Sequence, residues 1–287
     1  EKYEKKYDFC LEGVNKDLRI RQDCIDPSIQ MAEALSRSSS VIFFSGTLSP
    51  VEYFRTVLGS HQHCLEMKLP SPFPKENFCL SVANRISTLY KYRDDTKKQV
   101  CEMIQAMVEQ KNGNYLIFFP SYEYMEKIYT LFSQLNIDVH TIIQSPGMAE
   151  QEREEFLNQF SKNNLIEGVT LVGFAVMGGI FGEGIDLAGD RLTGAVVVGV
   201  GLPGISLERE LIKNYFDNLR DMGFEYAYLY PGMIRVFQAA GRVIRSSQDR
   251  GMVLLIGRRF STNQYQSLFP SYWNPIPVHD RQQLKTV

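Results

Sequence analysis

Hydrophobic positions beyond residue 77 fall into short apolar runs that are separated by longer amphipathic stretches. The apolar runs predict strands at 78–82, 115–119, 139–143, 169–174, 195–200 and 252–256. The stretches between them have the period of an α-helix and predict helices at 96–109, 122–135, 149–160 and 207–220. Because strands that alternate with long helices are typical of βαβ units, the pattern predicts an α/β fold, a parallel sheet with helices on both faces.

A separate group of elements precedes this alternation. Residues 41–44 (Val-Ile-Phe-Phe) are continuously apolar, which predicts a strand that is buried on both faces of a parallel sheet. Another strand is expected at 17–25. Three prolines between positions 69 and 74 predict a stiff, extended connector, so we place a domain boundary between residues 1–68 and 69–287.

The composition of the chain mainly excludes certain classes of protein and kinds of site. The chain of 287 residues is 44% hydrophobic and 22% charged, as in soluble globular proteins, and its formal net charge of -2 excludes a polybasic nucleic-acid binder. Its five cysteines form no C-x-x-C pair, so neither a zinc site nor a disulfide framework is indicated. No apolar run approaches the roughly 20 residues that cross a bilayer, and the first residues do not resemble a signal peptide. We therefore expect a cytoplasmic protein with no membrane partner.

The strongest local signal for chemistry lies between Gln238 and Arg245. At helical spacing Gln238, Gly241, Arg242 and Arg245 fall at i, i+3, i+4 and i+7, on one face of a predicted helix. A glycine inside a helix costs about 1 kcal/mol relative to alanine, so its presence indicates that another group approaches the backbone closely. Two arginines on one face can bind phosphate or carboxylate, whereas the alternative is an ordinary solvated basic face. The glycine, the glutamine and the spacing favour the anion receptor.

Hydroxyl groups also follow two predicted strands, at the position where ligands bind in open α/β sheets. Ser45 and Thr47 come directly after residues 41–44, and the sequence reveals no structural duty for them. Ser121 follows the strand at 115–119. It either caps the next helix or helps to bind a phosphate at the helix N-terminus.

Two further stretches allow two interpretations each. Five glycines lie between positions 178 and 189, where backbone amides could close on a phosphate and Asp186 could hold a ribose hydroxyl, or where the chain could simply form irregular turns. Tyr90, Tyr92 and Arg93 could stack on bases, although aromatic residues at such spacing are more often core or turn residues.

Four stretches resemble, in order, motifs III, IV, V and VI of the XPD/DinG family of superfamily two DNA helicases: 45–50 (Ser-Gly-Thr-Leu-Ser-Pro), 119–122 (Phe-Pro-Ser-Tyr), 182–187 (Gly-Glu-Gly-Ile-Asp-Leu) and 238–245 (Gln-Ala-Ala-Gly-Arg-Val-Ile-Arg). The resemblance implies two RecA-like domains with ATP bound between them. The P-loop, the acidic magnesium-binding motif and the family's four iron–sulfur cysteines are absent, so the chain resembles the carboxyl-terminal half. Residues 1–68 would then finish the first motor domain, and 69–287 would form the second, RecA-like domain.

The resemblance also implies roles for individual residues. Arg242 and Arg245 would be arginine fingers on the γ-phosphate of ATP, and Gln238 would help to position the nucleotide. The other implied roles are nucleotide contacts by Gly184 and Asp186, a relay between nucleotide and DNA by Ser45 and Thr47, and DNA-backbone contacts by Ser121 and Tyr122.

The function expected from this resemblance is that of the C-terminal motor half of an ATP-dependent 5′–3′ DNA helicase in DNA repair. Its partners would be single-stranded DNA and the N-terminal motor domain of the same protein. ATP and Mg²⁺ would act in the intact enzyme, with the Mg²⁺ ligands and any iron–sulfur cluster outside this chain, so the isolated chain is expected to be inactive. The alternative is a non-catalytic nucleic-acid-binding or regulatory module with the same fold.

Overall fold

The computed structural model describes residues 6–14, 17–60, 64–135, 137–161, 163–178, 181, 187 and 191–287. Contacts between residues divide the chain into two units. Unit 1 comprises residues 1–68 and 202–234, and unit 2 comprises residues 69–201 and 235–287. Within the described ranges, none of the helices combines the length and the hydrophobicity that a membrane span requires.

The secondary structure follows the predicted alternation. The strands are β1 (Tyr7–Val14), β2 (Asp17–Cys24), β3 (Phe78–Ala83), β4 (Asn114–Phe119), β5 (His140–Ile143), β6 (Leu171–Val176), β7 (Gly194–Val198), β8 (Gly251–Ile256) and β9 (Ile276–Val278). The helices are α1 (Ser28–Leu35), α2 (Val51–Val57), α3 (Arg93–Val108), α4 (Tyr122–Phe132), α5 (Glu150–Asn158), α6 (Asn163–Ile166), α7 (Leu207–Arg220), α8 (Tyr230–Ala240), α9 (Asn263–Gln266) and α10 (Arg281–Leu284). Short 3₁₀ turns lie at Lys75–Asn77, Tyr90–Tyr92 and Arg258–Ser261, and a π-helical turn lies at Glu225–Leu229.

Unit 2 is built on a sheet whose strand order, within the described residues, is β5-β6-β4-β7-β8-β3-β9. All neighbouring strands in it run parallel. The predicted α/β fold with a parallel sheet is therefore confirmed. The edge strand β9 was not predicted, because its three residues are too short to show a period.

The inner strand β4 shows that the sheet is covered on both faces. Its six residues are all buried, and successive side chains of a strand point to opposite faces. On one face Tyr115, Ile117 and Phe119 join a core that includes residues of α3 and α4. On the other face, a Cβ at Gly173 would lie 2.6 Å from Phe160 and 3.2 Å from Leu116, so the missing side chain on β6 makes room for the ring.

Unit 1 combines the first part of the chain with a later segment. β1 and β2 form an antiparallel hairpin, and α1, α2 and α7 belong to the same unit. The ring of Tyr226 stacks on Phe216 at a centroid distance of 4.0 Å, and its hydroxyl donates to Thr56 Oγ1 at 3.1 Å. Residues 202–234 are thus held to residues 1–68 by both apolar and polar contacts.

The predicted strand at 41–44 is wrong. These residues adopt no strand, and the side chains of Ile42 and Phe44 are 83% and 88% exposed. An apolar run predicts burial, but a strand also needs a neighbouring strand for its backbone hydrogen bonds. In the described part of the chain, no strand pairs with this segment.

A buried carboxylate fastens unit 1 internally. Asp26 is 2% exposed and accepts hydrogen bonds from Ser28 N at 2.9 Å, from Tyr215 Oη at 2.8 Å and from Lys6 Nζ. Burial alone would raise the pKa of Asp26, but the hydrogen bonds from Lys6, Ser28 and Tyr215 outweigh it and leave the pKa lowered. The ionised carboxylate therefore links the start of α1 to α7.

We expect Asp26→Asn to destabilise unit 1 by about 3 kcal/mol, because it leaves Lys6 without its buried partner charge. Hydrogen exchange of the amides in α1 and α7 should accelerate. Because the pKa is lower in the folded state, the wild-type stabilisation is present above the unfolded pKa of about 3.9 and is lost as the pH falls through the folded value.

A matched control is Asp94→Asn, which removes an exposed carboxylate that lies 3.5 Å from Lys127 Nζ. Exposed ion pairs contribute little, so exchange in α1 and α7 should not change. Equal pH dependence of exchange in wild type and Asp26→Asn between pH 7 and pH 3 would contradict the assignment.

Candidate functional site

The helix that carries Gln238 ends earlier than the spacing predicts. α8 ends at Ala240, and Gly241 and Arg242 lie in a turn, so the predicted continuous helical face through Arg245 is wrong. Gly241 N donates to Phe237 O at 2.8 Å, and Arg242 N donates to Ala239 O at 3.3 Å, which tightens the last turn. A Cβ at Gly241 would lie 3.0 Å from Phe237 O, so the glycine fits a tight helix end.

A buried aspartate explains why the helix does not continue. Asp249 is 6% exposed, and its Oδ2 accepts from Arg245 N at 2.7 Å and from Ser246 N at 2.8 Å. Its Oδ1 accepts from the hydroxyl of Ser246 at 2.7 Å. A carboxylate that accepts two consecutive amides offers the backbone an alternative to helical hydrogen bonds.

The two candidate arginines consequently differ in exposure. Arg242 is 8% exposed and lies at the helix end, whereas Arg245 is exposed at the start of the turn that Asp249 organises. Gln238 remains on α8 and is half-buried. Arg242 and Arg245 therefore do not lie together on one exposed helical face. Their contact with a phosphate stays a prediction.

The arginine segment lies at the amino edge of the sheet. A Cβ at Gly251, the first residue of β8, would lie 2.2 Å from Val243 Cγ1. The side chain of Asn77, directly before β3, donates to Ser247 O at 3.0 Å. Residues 243–251 therefore sit where β3 and β8 begin.

Ser121 and Tyr122 lie at the opposite, carboxyl edge. Ser121 Oγ accepts from Tyr124 N at 3.4 Å and is the N-cap of α4, while its contact with a phosphate stays a prediction. The same oxygen lies 3.5 Å from Arg93 Nη1. Tyr122 Oη accepts from the amide of Gln144 at 2.8 Å, and Gln144 Oε1 accepts from Val176 N at 2.8 Å. These bonds fix Tyr122 between the ends of β4 and β6.

Arg93 is the residue that the sequence pattern underrated. Its guanidinium carbon lies 4.6 Å from the ring centroid of Tyr124 and 5.5 Å from that of Tyr90, and its Nε donates to Thr88 O at 3.4 Å. Burial lowers the pKa of Arg93, but an arginine remains charged at neutral pH. Tyr90 is 75% exposed, which excludes the core interpretation for it. The only signal in the sequence was the spacing of aromatic and basic residues.

An open cavity of about 180 Å³ accompanies this group. It is lined by Tyr90, Lys91, Arg93, Asp94, Glu123, Tyr124 and Lys127. The carboxylates Asp94 and Glu123 pair with Lys127, whereas Tyr90 and Arg93 together suit a nucleobase and its phosphate.

The structure says less about the remaining candidate residues that the sequence suggested. Thr47 N donates to Ser45 Oγ at 3.1 Å, and the two hydroxyl oxygens lie 3.2 Å apart, so in unit 1 these residues form a local turn. Gly184 and Asp186 lie outside the described residues. Among the residues that are described, no group of three or more His, Cys, Asp or Glu is arranged to hold a metal ion.

The known proteins to which this chain is similar are helicases. The profile of the helicase C-terminal domain family matches residues 104–276. The chain is 28% identical over 262 residues to the general transcription and DNA repair factor IIH helicase subunit XPD/RAD3 of Saccharomyces cerevisiae, covering 86% of this chain and 33% of that protein. It is 23% identical over 297 residues to the ATP-dependent DNA helicase CHL1 of Debaryomyces hansenii, covering 90% of this chain and 34% of that protein.

Solved structures show the same fold. An XPD helicase structure superimposes with a TM-score of 0.70 at 20% identity, covering 94% of this chain and 48% of that one. The predicted RecA-like fold and the resemblance to the carboxyl-terminal half of an XPD-family superfamily two helicase are confirmed. The chain spans about a third of the length of the curated relatives named here.

We expect Asp249→Ala to loosen the turn at 245–249. Loss of hydrogen bonds to a charged acceptor costs about 2 kcal/mol, so exchange of the Arg245 and Ser246 amides should accelerate by roughly 30-fold. Asp280→Ala is the matched control, since Asp280 accepts from Gln282 N and Gln283 N at the start of α10. If both variants leave the Arg245 and Ser246 amides equally protected, Asp249 does not organise the turn.

Proposed function

Since the chain belongs to the helicase C-terminal domain family, we propose that it is the carboxyl-terminal motor half of an ATP-dependent DNA helicase. The intact protein would couple ATP hydrolysis to 5′–3′ translocation on single-stranded DNA, and the name of the S. cerevisiae relative supports a role in DNA repair. A cytoplasmic location stays a prediction.

The observation that best supports a motor is the separation of two chemistries at the two ends of one sheet. The segment 243–251, with the proposed phosphate ligand Arg245, lies at the amino edge, while Ser121, the exposed Tyr90 and Arg93 lie at the carboxyl edge. A translocating motor needs separate sites for ATP and for DNA. Residues 235–240 of α8 run between the two edges. A simple binding module needs only one of them.

In the proposed mechanism ATP is the substrate, and this chain supplies the arginine fingers. Arg245 and Arg242 would meet the negative charge that develops on the γ-phosphoryl group, and Gln238 would position the nucleotide. Gly184 and Asp186 would make further nucleotide contacts. The P-loop and the Mg²⁺ ligands would come from outside this chain.

At the other edge, Ser121, Tyr122 and Arg93 would hold the DNA backbone, and Tyr90 would stack on a base. Such contacts depend on the charge of the DNA backbone and on the aromatic faces of the bases. They are therefore largely independent of the DNA sequence. In unit 1, Ser45 and Thr47 would relay between nucleotide and DNA.

We also propose that the N-terminal motor domain covers part of unit 1, with 1–68 completing that domain and 69–287 forming the second. An isolated hairpin is marginally stable in water, and large exposed apolar surfaces mark interaction sites. The exposed apolar residues that support this proposal are Phe9, Leu11, Leu18, Ile20, Val41, Ile42, Phe43 and Phe44.

The finger assignment is tested by DNA-stimulated ATP hydrolysis of the intact protein. We expect Arg245→Ala to lower turnover by at least about a thousandfold, because an arginine finger typically contributes a factor of 10³ to 10⁵. Arg245→Lys should not rescue it, since an ammonium lacks the planar donor pair.

Arg250→Ala is the control, because Arg250 is an exposed arginine five positions along that is not assigned to the nucleotide. It should keep wild-type turnover. The isolated 287-residue chain should hydrolyse no ATP. Intact turnover in Arg245→Ala would refute the finger, and DNA binding without any turnover by the intact wild type would favour the non-catalytic module.

The DNA assignment predicts two separable effects on binding of single-stranded DNA, measured by fluorescence anisotropy from 50 to 300 mM salt. Arg93→Met should reduce the slope of log K against log salt by about 0.7, whereas Arg93→Lys should keep the slope. Tyr90→Ala should weaken binding by about tenfold or more with the slope unchanged, because it removes only a stacking ring.

Arg281→Met and Tyr272→Ala are matched controls, since both residues are exposed and lie elsewhere in unit 2. They should bind as wild type does. An unchanged slope in Arg93→Met together with unchanged affinity in Tyr90→Ala would remove this edge from the DNA path.

A further inference from the structure

Arg235 makes an unusually close contact with two loops of unit 2. A Cβ at Gly178 would lie 2.6 Å from Arg235 Nε and 3.1 Å from its Cζ, so the guanidinium packs directly on the glycine backbone. Arg235 Nη1 also donates to Gly201 O at 3.2 Å. One side chain therefore contacts both loops.

Gly178 favours this contact through both its conformation and its missing side chain. Gly178 has a φ of 71°, in the left-handed region that favours glycine, and a Cβ there would displace the guanidinium of Arg235. A Cβ at Gly201 would lie 3.2 Å from Met177 Sδ and 3.4 Å from Arg235 Cβ. Backbone and guanidinium thus meet without an intervening side chain.

The contact lies at the carboxyl edge of the sheet. Gly178 follows β6 and Gly201 follows β7, and β4, which continues into Ser121 and Tyr122, lies between those two strands. Arg235 therefore fixes α8 to the edge that holds the proposed DNA contacts.

From Arg235, α8 continues to Ala240 and delivers Arg242 at the other edge. Val236, Phe237, Ala239 and Ala240 are buried, and Phe237 packs edge-on against Trp273 at a centroid distance of 5.5 Å. Residues 235–240 of α8 are packed along their length and held at Arg235, so we expect this part of the helix to move as a rigid element.

We propose that Arg235 is a positioning residue that couples DNA at the carboxyl edge to the arginine fingers at the amino edge. It touches neither ligand in this assignment; it holds the carboxyl-edge loops and α8 in one arrangement, so that DNA-driven displacement of the loops moves Arg242. This inference rests on the proposed function. It deepens that function by naming the residue through which DNA stimulates hydrolysis.

Arginine suits this role better than lysine. Its planar guanidinium can lie flat on a glycine backbone and donate to a carbonyl at the same time, whereas an ammonium is a compact point donor. We therefore expect lysine to restore only part of the coupling.

The test compares ATP turnover of the intact protein with and without single-stranded DNA for wild type, Arg235→Met, Arg235→Lys and the control Arg281→Met. Site-to-site coupling is typically worth a factor of about 5 to 150, so Arg235→Met should lose stimulation on that scale while DNA-independent turnover stays within about threefold. DNA affinity should also stay within about threefold, since no assigned DNA contact is removed. Arg235→Lys should be intermediate, and Arg281→Met should match wild type.

Failure of the coupling role and failure of the proposed function give different results. Full stimulation in Arg235→Met would overturn the inference, and so would a parallel fall of basal and stimulated turnover, which indicates a purely structural role. If circular dichroism shows that Arg235→Met does not fold, Arg235→Lys is tested instead. Its loss of DNA stimulation is then compared with its DNA-independent turnover in the same way. Absence of DNA-stimulated turnover in wild type would refute the proposed function itself, and the coupling role would fall with it.

Discussion

The strands of unit 2 all run in the same direction, and this constraint decides which residues can meet. Every loop that follows a strand emerges at one edge, and every loop that precedes a strand lies at the other. Ser121 and Gly178 follow strands, whereas the turn at 245–249 precedes β8. Groups of different chemistry are therefore kept apart by the length of the strands, although they belong to one small domain. The parallel order is itself stabilised by side chains on both faces of β4, which no solvent-facing strand could provide.

The pattern of hydrophobic positions along the sequence predicted this architecture well where a segment is both buried and paired with neighbouring strands. The runs at 115–119 and 252–256 are apolar because both faces of their strands are covered, so one pattern reports both properties. At 41–44 the two properties separate. The run is apolar, yet nothing in the described chain pairs with it, and an apolar composition carries no information about where a partner strand is.

The limits for the candidate site have a similar physical cause. Helical spacing grouped Arg242 with Arg245, but Asp249 takes the amides of Arg245 and Ser246, and this competition depends on a buried contact that spacing does not encode. Sequence could not choose between cap and ligand for Ser121 either, because one hydroxyl can accept from Tyr124 N and still face Arg93. Arg93 was underrated because its partner Tyr124 lies on the next helix along the chain.

Separation of the two edges limits how the proposed motor could couple DNA to ATP. When two ligands share a site, each feels the other's charge directly, but opposite edges of a sheet lie beyond the Debye length of about 8 Å at physiological salt. Coupling must then be mechanical, through an element that is packed too tightly to deform. Residues 235–240 of α8 suit this role, because their apolar side is buried and Arg235 contacts the backbone of Gly178 and Gly201. The missing side chain at Gly178 matters for this coupling, since it lets the guanidinium of Arg235 lie directly against the backbone that follows β6.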